Sequence, residues 1–407
     1  ERFIKPVVVE LIPSTLKDTS EPSNCVIMGL TGRTFSLRHI ALLWQTSNSI
    51  LNLTTIALSI LLSNYLEAGL ITAVPIYFSF LFIYDWLYYQ HSISVINESE
   101  TIRAGYNYGL LIDHQGSATG SGLDYGFNFY DGNYKKTPEQ AQLDKFEFCW
   151  KQLRLEEGMT VIDFGCGCGD WLSYLKQRGV NGIGINITEG QVMLCRERGL
   201  NVIWTDWKKI PGNPSLECQV YDKADAVTMW DTIEHYVPAK YFRSKHRAEQ
   251  DQIYTNLFTL VGKCLKSDSK VGKAWTSCLH YRKSEMTLSQ MFNNYILDKF
   301  HSGNYPTYED RQLTKVAQSN GFVQKMERNL TEDYYMTSVL SASHFGRLKF
   351  AYTPFRVSVL LVSVLLDPHW IQRFYWLQQE TWMNQFDKDD VVESSPMQLL
   401  WILWERK

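Results

Sequence analysis

The 407-residue sequence predicts an α/β protein: a mostly parallel sheet with helices on both faces, preceded by a hydrophobic helical hairpin and carrying a helical cap insertion near its C-terminal end. Three observations carry this expectation. Strand-like and helical segments alternate from Thr160 onward, a glycine-rich turn joins the first of these strands to the first helix, and two long uncharged runs precede the alternation. With 45% hydrophobic and 20% charged residues the chain has the composition of a protein with a large core, not of a disordered one. The expected division is an N-terminal region 1–97, a lid and lead-in helix 98–150, a core 151–344, a greasy aromatic insertion 345–390 and a C-terminal strand in 391–407.

Strands are expected at 160–163, 182–187, 201–205, 224–229, 273–279 and 323–329, with 399–403 closing the sheet as an edge strand. Helices are expected at 171–178, 191–198, 241–265 and 286–300. A lead-in helix over 138–153 starts where Thr137 can cap it and Pro138 fits the first turn. The segment before it is rich in Gly, Tyr, Asn and Asp and reads as a loop that covers a ligand. In an open parallel sheet, ligands sit beyond the carboxyl ends of the strands. Asp163, Asn186, Asp206 and Asp231 all fall at such ends.

The turn itself is Asp163-Phe164-Gly165-Cys166-Gly167-Cys168-Gly169-Asp170-Trp171. Glycines here let the backbone approach a ligand, and the following helix aims its unpaired N–H groups at the same place. The G-x-G-x-G spacing differs from the G-x-G-x-x-G of dinucleotide folds. With an acid at the strand end, the stretch resembles the first motif of S-adenosylmethionine-dependent methyltransferases, which implies their Rossmann-like class I fold with a seven-stranded sheet.

Residues 41–66 and 68–84 carry no charge, each near the length of about 20 residues that crosses a bilayer as a helix. Arg33, Arg38 and Arg103 flank the pair, which suits a membrane hairpin with both ends on the cytoplasmic side. The alternative to that hairpin is an amphipathic or buried helical pair closing a lipid tunnel. No cleavable signal peptide is expected, because no basic start leads into a short apolar core. A net charge of −3 gives no indication of a nucleic-acid partner. The scattered cysteines lack zinc spacing or a disulfide framework, so no metal site is expected.

Beyond the first motif, Gly184-Ile185-Asn186-Ile187-Thr188-Glu189-Gly190-Gln191 looks like the Gly-Ile-Thr-Leu-Ser-x-x-Gln of the cyclopropane-fatty-acid synthase family. Residues 137–142 with Lys145 are similar to its Leu-x-x-Ala-Gln helix, Ile233-Glu234-His235 to its Phe-Glu-His, and 295–306 to its Lys-Tyr-Ile-Phe-Pro-Gly segment. Asp333-Tyr334-Tyr335-Met336-Thr337 looks like its His-Tyr-x-x-Thr. Over residues 100–345 the chain therefore resembles this family, which includes mycolic-acid cyclopropane synthases and lipid C-methyltransferases.

That resemblance implies S-adenosyl-L-methionine as cofactor and a lipid or other hydrophobic substrate. Gly165, Gly167 and Gly169 would face the cofactor's methionine and ribose, with Asp163 holding the loop or the amino group. Asn186 stands where most methyltransferases place an acid, so Thr188 and Gln191 would share the ribose hydroxyls. Asp206 with Trp207 would read the adenine, although Trp207 also suits simple core packing. Asp231 completes the cofactor set. The resemblance further implies that Glu234, followed by His235, and Tyr334 surround a bicarbonate acting as base. The alternative for Glu234 is a carboxylate stabilising a helix start.

Two positions depart from the family. Its Tyr-Ser-Cys becomes Tyr125-Gly126-Phe127, and its fifth-strand His aligns near Ser277, with His280 close by as a substitute. Both touch the base, so the expected product is a methyl branch or an exomethylene more than a cyclopropane. Methyl transfer to a small or polycyclic hydrophobic molecule, and a methyltransferase-like scaffold without activity, remain the competing readings of the sequence.

Overall fold

The computed structural model describes residues 126–237, 246–268, 272–281, 311–337, 391–395 and 397–407, with short pieces at 26–28, 34–36 and 57–62 and single positions 65, 76 and 339. Apart from those pieces the expected hairpin lies outside the described residues, as do the lid before Gly126, the helix at 286–300 and the insertion 345–390. Among the described residues no helix is long and apolar enough to cross a membrane. Strands β1 (Val26–Met28) and β2 (Thr34–Ser36) form an antiparallel pair.

The core is a seven-stranded sheet built from β3 (Thr160–Phe164), β4 (Asn181–Asn186), β5 (Asn201–Trp204), β6 (Ala226–Trp230), β7 (Lys273–Tyr281), β8 (Phe322–Asn329) and β9 (Met397–Arg406). Its order is β5-β4-β3-β6-β7-β9-β8; β9 pairs antiparallel with both β7 and β8, and the other pairs are parallel. The order reverses between β3 and β6. That switch point opens a crevice at the strands' carboxyl ends, where ligands of such sheets bind.

Helix α1 (Pro138–Leu153) covers one face of the sheet. Thr137 caps it by accepting the Gln140 amide through its hydroxyl at 3.2 Å, and Arg154 ends it at φ 56°. Helices α2 (Asp170–Gln177) and α3 (Glu189–Glu197) follow β3 and β4. The short helix α4 (Pro214–Val220) comes next, and α5 (Arg247–Cys264) packs Tyr254, Leu257, Phe258 and Val261 into the core of the other face. Helix α6 (Gln312–Ser319), the helical residues 331–337 and the four-residue α7 (Val391–Ser394) complete the fold.

The C-terminal strand corrects one expectation: β9 is an inner strand between β7 and β8, and β5 and β8 are the edges. The cause is visible in its side chains, which alternate between two cores. Leu399, Trp401 and Leu403 join the cluster under α1, whereas Leu400, Ile402 and Trp404 join the one under α5. A strand apolar on both faces belongs inside a sheet. Trp401 is the hub of the first cluster, with the ring centroids of Phe129, Trp275, Phe148, Phe127 and Trp230 at 5.0–5.9 Å.

Replacing this fully buried indole removes both its transfer energy and its packing partners. Trp401→Ala should destabilise the protein by about 3–5 kcal/mol. Urea unfolding reads this as a lower midpoint at unchanged slope.

Candidate active site

At the carboxyl end of β3, Asp163 is 2% exposed and accepts a hydrogen bond from the Thr228 hydroxyl on β6 at 2.7 Å. Thr228 in turn accepts from the Trp171 indole at 3.2 Å. This buried chain ties the ends of β3 and β6 to the start of α2. Each glycine beyond it meets a different demand. A Cβ on Gly165 would lie 2.3 Å from Thr232 Cγ2, so no other residue fits that approach. Gly167, at φ +52°, has no atom within 4 Å of where its Cβ would stand. Gly169 faces the core, where a Cβ would lie 2.5 Å from Leu200 Cδ1 and 2.9 Å from Cys195 Sγ.

Asn186 explains why an amide replaces the usual acid at the end of β4. Its Nδ2 donates to the Gly167 carbonyl and to Gln191 Oε1, both at 3.0 Å, and its Oδ1 accepts from the Thr188 amide at 2.9 Å. A carboxylate could accept but not donate. The Asn186 amide thus pins the glycine loop to the start of α3. After β5, Asp206 caps a 3₁₀ turn (Trp207–Lys209) by accepting the Lys208 amide at 3.0 Å. Trp207 is 6% exposed and packs on Tyr236 with ring centroids 5.2 Å apart.

After β6, Asp231 adopts φ 48°. Its amide donates to the Ser277 carbonyl at 2.8 Å and its carboxylate accepts the Ser277 hydroxyl. The 3₁₀ turn that follows (Ile233–His235) presents Glu234, 3% exposed, whose Oε1 accepts the Leu279 amide at 2.5 Å. Its Oε2 is buried with no hydrogen-bond partner among the described residues. Burial, and then the negative charge of Asp231, push the Glu234 carboxyl up to about 8.

These elements enclose a cavity of about 200 Å³. One end is lined by Thr188, Gln191, Asp206 and Trp207, the middle by Asp163, Gly165, Gly167 and Asn186, and the other end by Asp231, Glu234, His235 and Tyr334 among the rings of Phe127, Phe146 and Trp230. Two expected site residues stand outside this wall. Gly169 packs on Leu200 and Cys195 as described. His280 follows Leu279 on β7, and strand alternation turns it to the opposite face from that cavity-lining residue. There it contacts Cys278 Sγ at 3.2 Å through Nε2, and burial holds its pKa down to about 3.

Residues 120–347 match the family model of mycolic acid cyclopropane synthetase. The match covers more than half of the chain. The fold and site define a class I, S-adenosylmethionine-type methyltransferase domain, and the chain belongs to the mycolic acid cyclopropane synthetase family. It is 24% identical over 195 residues to methoxy mycolic acid synthase MmaA3 of Mycobacterium tuberculosis, covering 44% of this chain and 60% of that protein. To the cyclopropane-fatty-acyl-phospholipid synthase of Escherichia coli it is 25% identical over 204 residues, 49% of this chain and 45% of that protein. It thus spans about 60% and under half of the lengths of these two relatives. The solved structure of mycolic acid cyclopropane synthase CmaA1 complexed with SAH and CTAB superposes with a TM-score of 0.53 at 14% identity, over 70% of this chain and 90% of that one.

The residues present fit S-adenosylmethionine, a cofactor that carries positive charge. Asp163, Asp170, Asp206 and Asp231 line the cavity, and among the described residues Lys208 is the one lysine or arginine that faces them there. The open space over Gly167 leaves the loop backbone accessible from the cavity.

Sequence reasoning missed Thr228 and Thr232, each a lone hydroxyl in or just after an apolar strand, and it named Ser277 only as the position of the family's histidine, not as the group that holds Asp231.

Two outcomes follow from this geometry. Gly167→Val should lose SAH binding in calorimetry while the domain stays folded, whereas Gly169→Val should fail to fold, because its side chain meets Leu200 and Cys195. If Glu234 is the base, it acts only when ionised. Its raised pKa then makes turnover climb as pH rises through about 8, and Glu234→Gln should flatten that limb of the pH–rate profile.

Proposed function

We propose that the protein is a lipid C-methyltransferase that uses S-adenosylmethionine to methylate an alkene carbon of an unsaturated acyl chain, after which the enzyme removes a proton. The observation that carries this reading is the unpartnered Glu234 oxygen in the aromatic end of the cavity, beyond the glycine loop. When bound, S-adenosylmethionine supplies an electrophilic methyl group on a sulfonium centre. The glycine loop, Asn186 and Gln191 would hold its methionine and ribose, and Asp206 with Trp207 its adenine.

The rings of Phe127, Phe146 and Trp230 exclude water and present π-faces to the electron-deficient carbon that alkene methylation leaves on the acceptor. That carbon is neutralised when its methyl-bearing neighbour gives a proton to a base and the C–H electron pair forms a methyl-branched double bond. An exomethylene forms instead when a hydride first shifts from that neighbour to the cation and the proton then leaves from the transferred methyl. Glu234 is the base in this reading, with His235 and Tyr334 beside it. Its Oε1 is held by the Leu279 amide, which leaves Oε2 to take the proton. Phe127 stands in the cavity wall where the family motif has a cysteine, and Ser277 is engaged with Asp231, so the reading does not call on a bound bicarbonate.

The membrane part of the proposal rests on the uncharged runs 41–66 and 68–84 with their flanking arginines. They would hold the protein at a membrane surface with the catalytic domain on the cytoplasmic side.

Incubation with methyl-labelled cofactor and vesicles of a total lipid extract, followed by mass spectrometry, tests the reading. Label should enter an acyl chain. Glu234→Gln should lose at least about a hundredfold in turnover, the usual contribution of acid–base catalysis, with SAH affinity nearly unchanged. Lost affinity with normal turnover at saturation would make Glu234 a cofactor-positioning group, and label confined to a small polycyclic compound would overturn the lipid assignment.

A further inference from the structure

Phe127 lines the aromatic end of the cavity yet belongs to no helix or strand. Buried side chains from two directions hold its segment. From α1, Lys145 donates through Nζ to the Phe127 carbonyl at 3.1 Å. From the helical residues 331–337, the Thr337 hydroxyl accepts the Asn128 amide at 2.9 Å. Asp333 accepts the amides of Tyr130 and Asp131 at 2.5 and 2.9 Å. Lys145, Asp333 and Thr337 are only 2%, 6% and 7% exposed.

Lys145 does more than make one hydrogen bond. Its Nζ lies 5.7, 5.3 and 5.6 Å from the ring centroids of Phe127, Phe146 and Trp230, all three of which line the cavity. Removing an ammonium from water is costly, and a hydrophobic residue of similar volume often serves stability as well or better. A methionine would fill the same space without that cost. Unlike a methionine, the lysine supplies a charged donor to the Phe127 carbonyl beside three rings of the wall.

We infer that Lys145 is a positioning residue for the acceptor: its ammonium clasps the Phe127 carbonyl and, with Thr337 as the second clasp, sets the width of the aromatic chamber beside Glu234. This rests on the reading of that chamber as the acceptor site. The cofactor end is held separately, by the Asn186 cross-link between the glycine loop and α3. Loosening the clasp therefore widens the acceptor chamber and leaves the cofactor end as it is.

The test uses the full chain with Lys145→Met, Lys145→Arg and Thr337→Val. Lys145→Met should raise the acceptor KM by about tenfold, equivalent to one hydrogen bond to a charged group, while SAH affinity stays within about twofold. Hydrogen exchange at the amides of residues 127–131 should speed up in the same variant. Lys145→Arg, which keeps a cationic donor, should restore most of both, and Thr337→Val should shift both in the direction of the methionine variant. Unchanged exchange and KM in Lys145→Met would overturn the inference, as would equal effects of methionine and arginine. So would a parallel loss of SAH affinity. If Lys145→Met does not fold, Thr337→Val decides, and wild-type exchange and KM in that variant overturn the clasp. Should the wild-type protein methylate no lipid while Lys145→Met still speeds exchange, the acceptor assignment fails and the clasp stands.

Discussion

The contact between Gly165 and Thr232 is the constraint on which the rest of the site depends. With no room for a Cβ between them, the glycine loop after β3 and the turn after β6 lie directly against each other. The Thr232 hydroxyl reinforces the contact by donating to the Phe164 carbonyl at 3.2 Å. Once this junction is set, Asp231 must turn sharply, and Ser277 on β7 holds it there through backbone and side chain. The next turn then delivers Glu234 to the Leu279 amide. A glycine chosen for the cofactor side of the sheet thereby fixes the position of a carboxyl on the other side of the cavity.

The electrostatics follow from the same arrangement. Acid side chains line the cavity and aromatic rings close one end, so negative charge collects where water is scarce. Glu234 responds by holding its proton up to about 8. Cation and carboxyl are coupled in such a place: a positive charge brought beside the acid favours its ionised form. A cavity of this kind is therefore suited to a cationic cofactor and to an electron-deficient carbon on the acceptor. His280, which is buried and also feels the like charge of Arg311, goes the other way and stays neutral.

What could be read from the sequence was local. The glycine turn, the polar residue at each strand end and the Thr137 cap are written in neighbouring residues, and most of the sheet and the shape of the cofactor end follow from them. Helix α4 escaped because seven residues show little periodicity, whereas α6 does carry a helical pattern in Leu313, Val316 and Ala317 that the sequence reading passed over. The edge placement of the last strand failed because burial on its second face depends on α5, more than a hundred residues earlier. His280 lies three residues from Ser277 on the same strand, and an odd shift along a strand reverses the face. The groups that place the site were the least legible. Thr228 meets Asp163 across 65 residues and Ser277 meets Asp231 across 46, distances over which no local pattern extends.

The central claim is that the methyl group goes to carbon and that a proton then leaves to Glu234. The most direct measurement is to fragment the lipid formed from a trideuteromethyl cofactor and locate the deuterium. The account predicts label bound through a carbon–carbon bond within the acyl chain, as a methyl branch or an exomethylene, and resistant to mild hydrolysis. Label released by mild base as a methyl ester, or found on nitrogen, would contradict it.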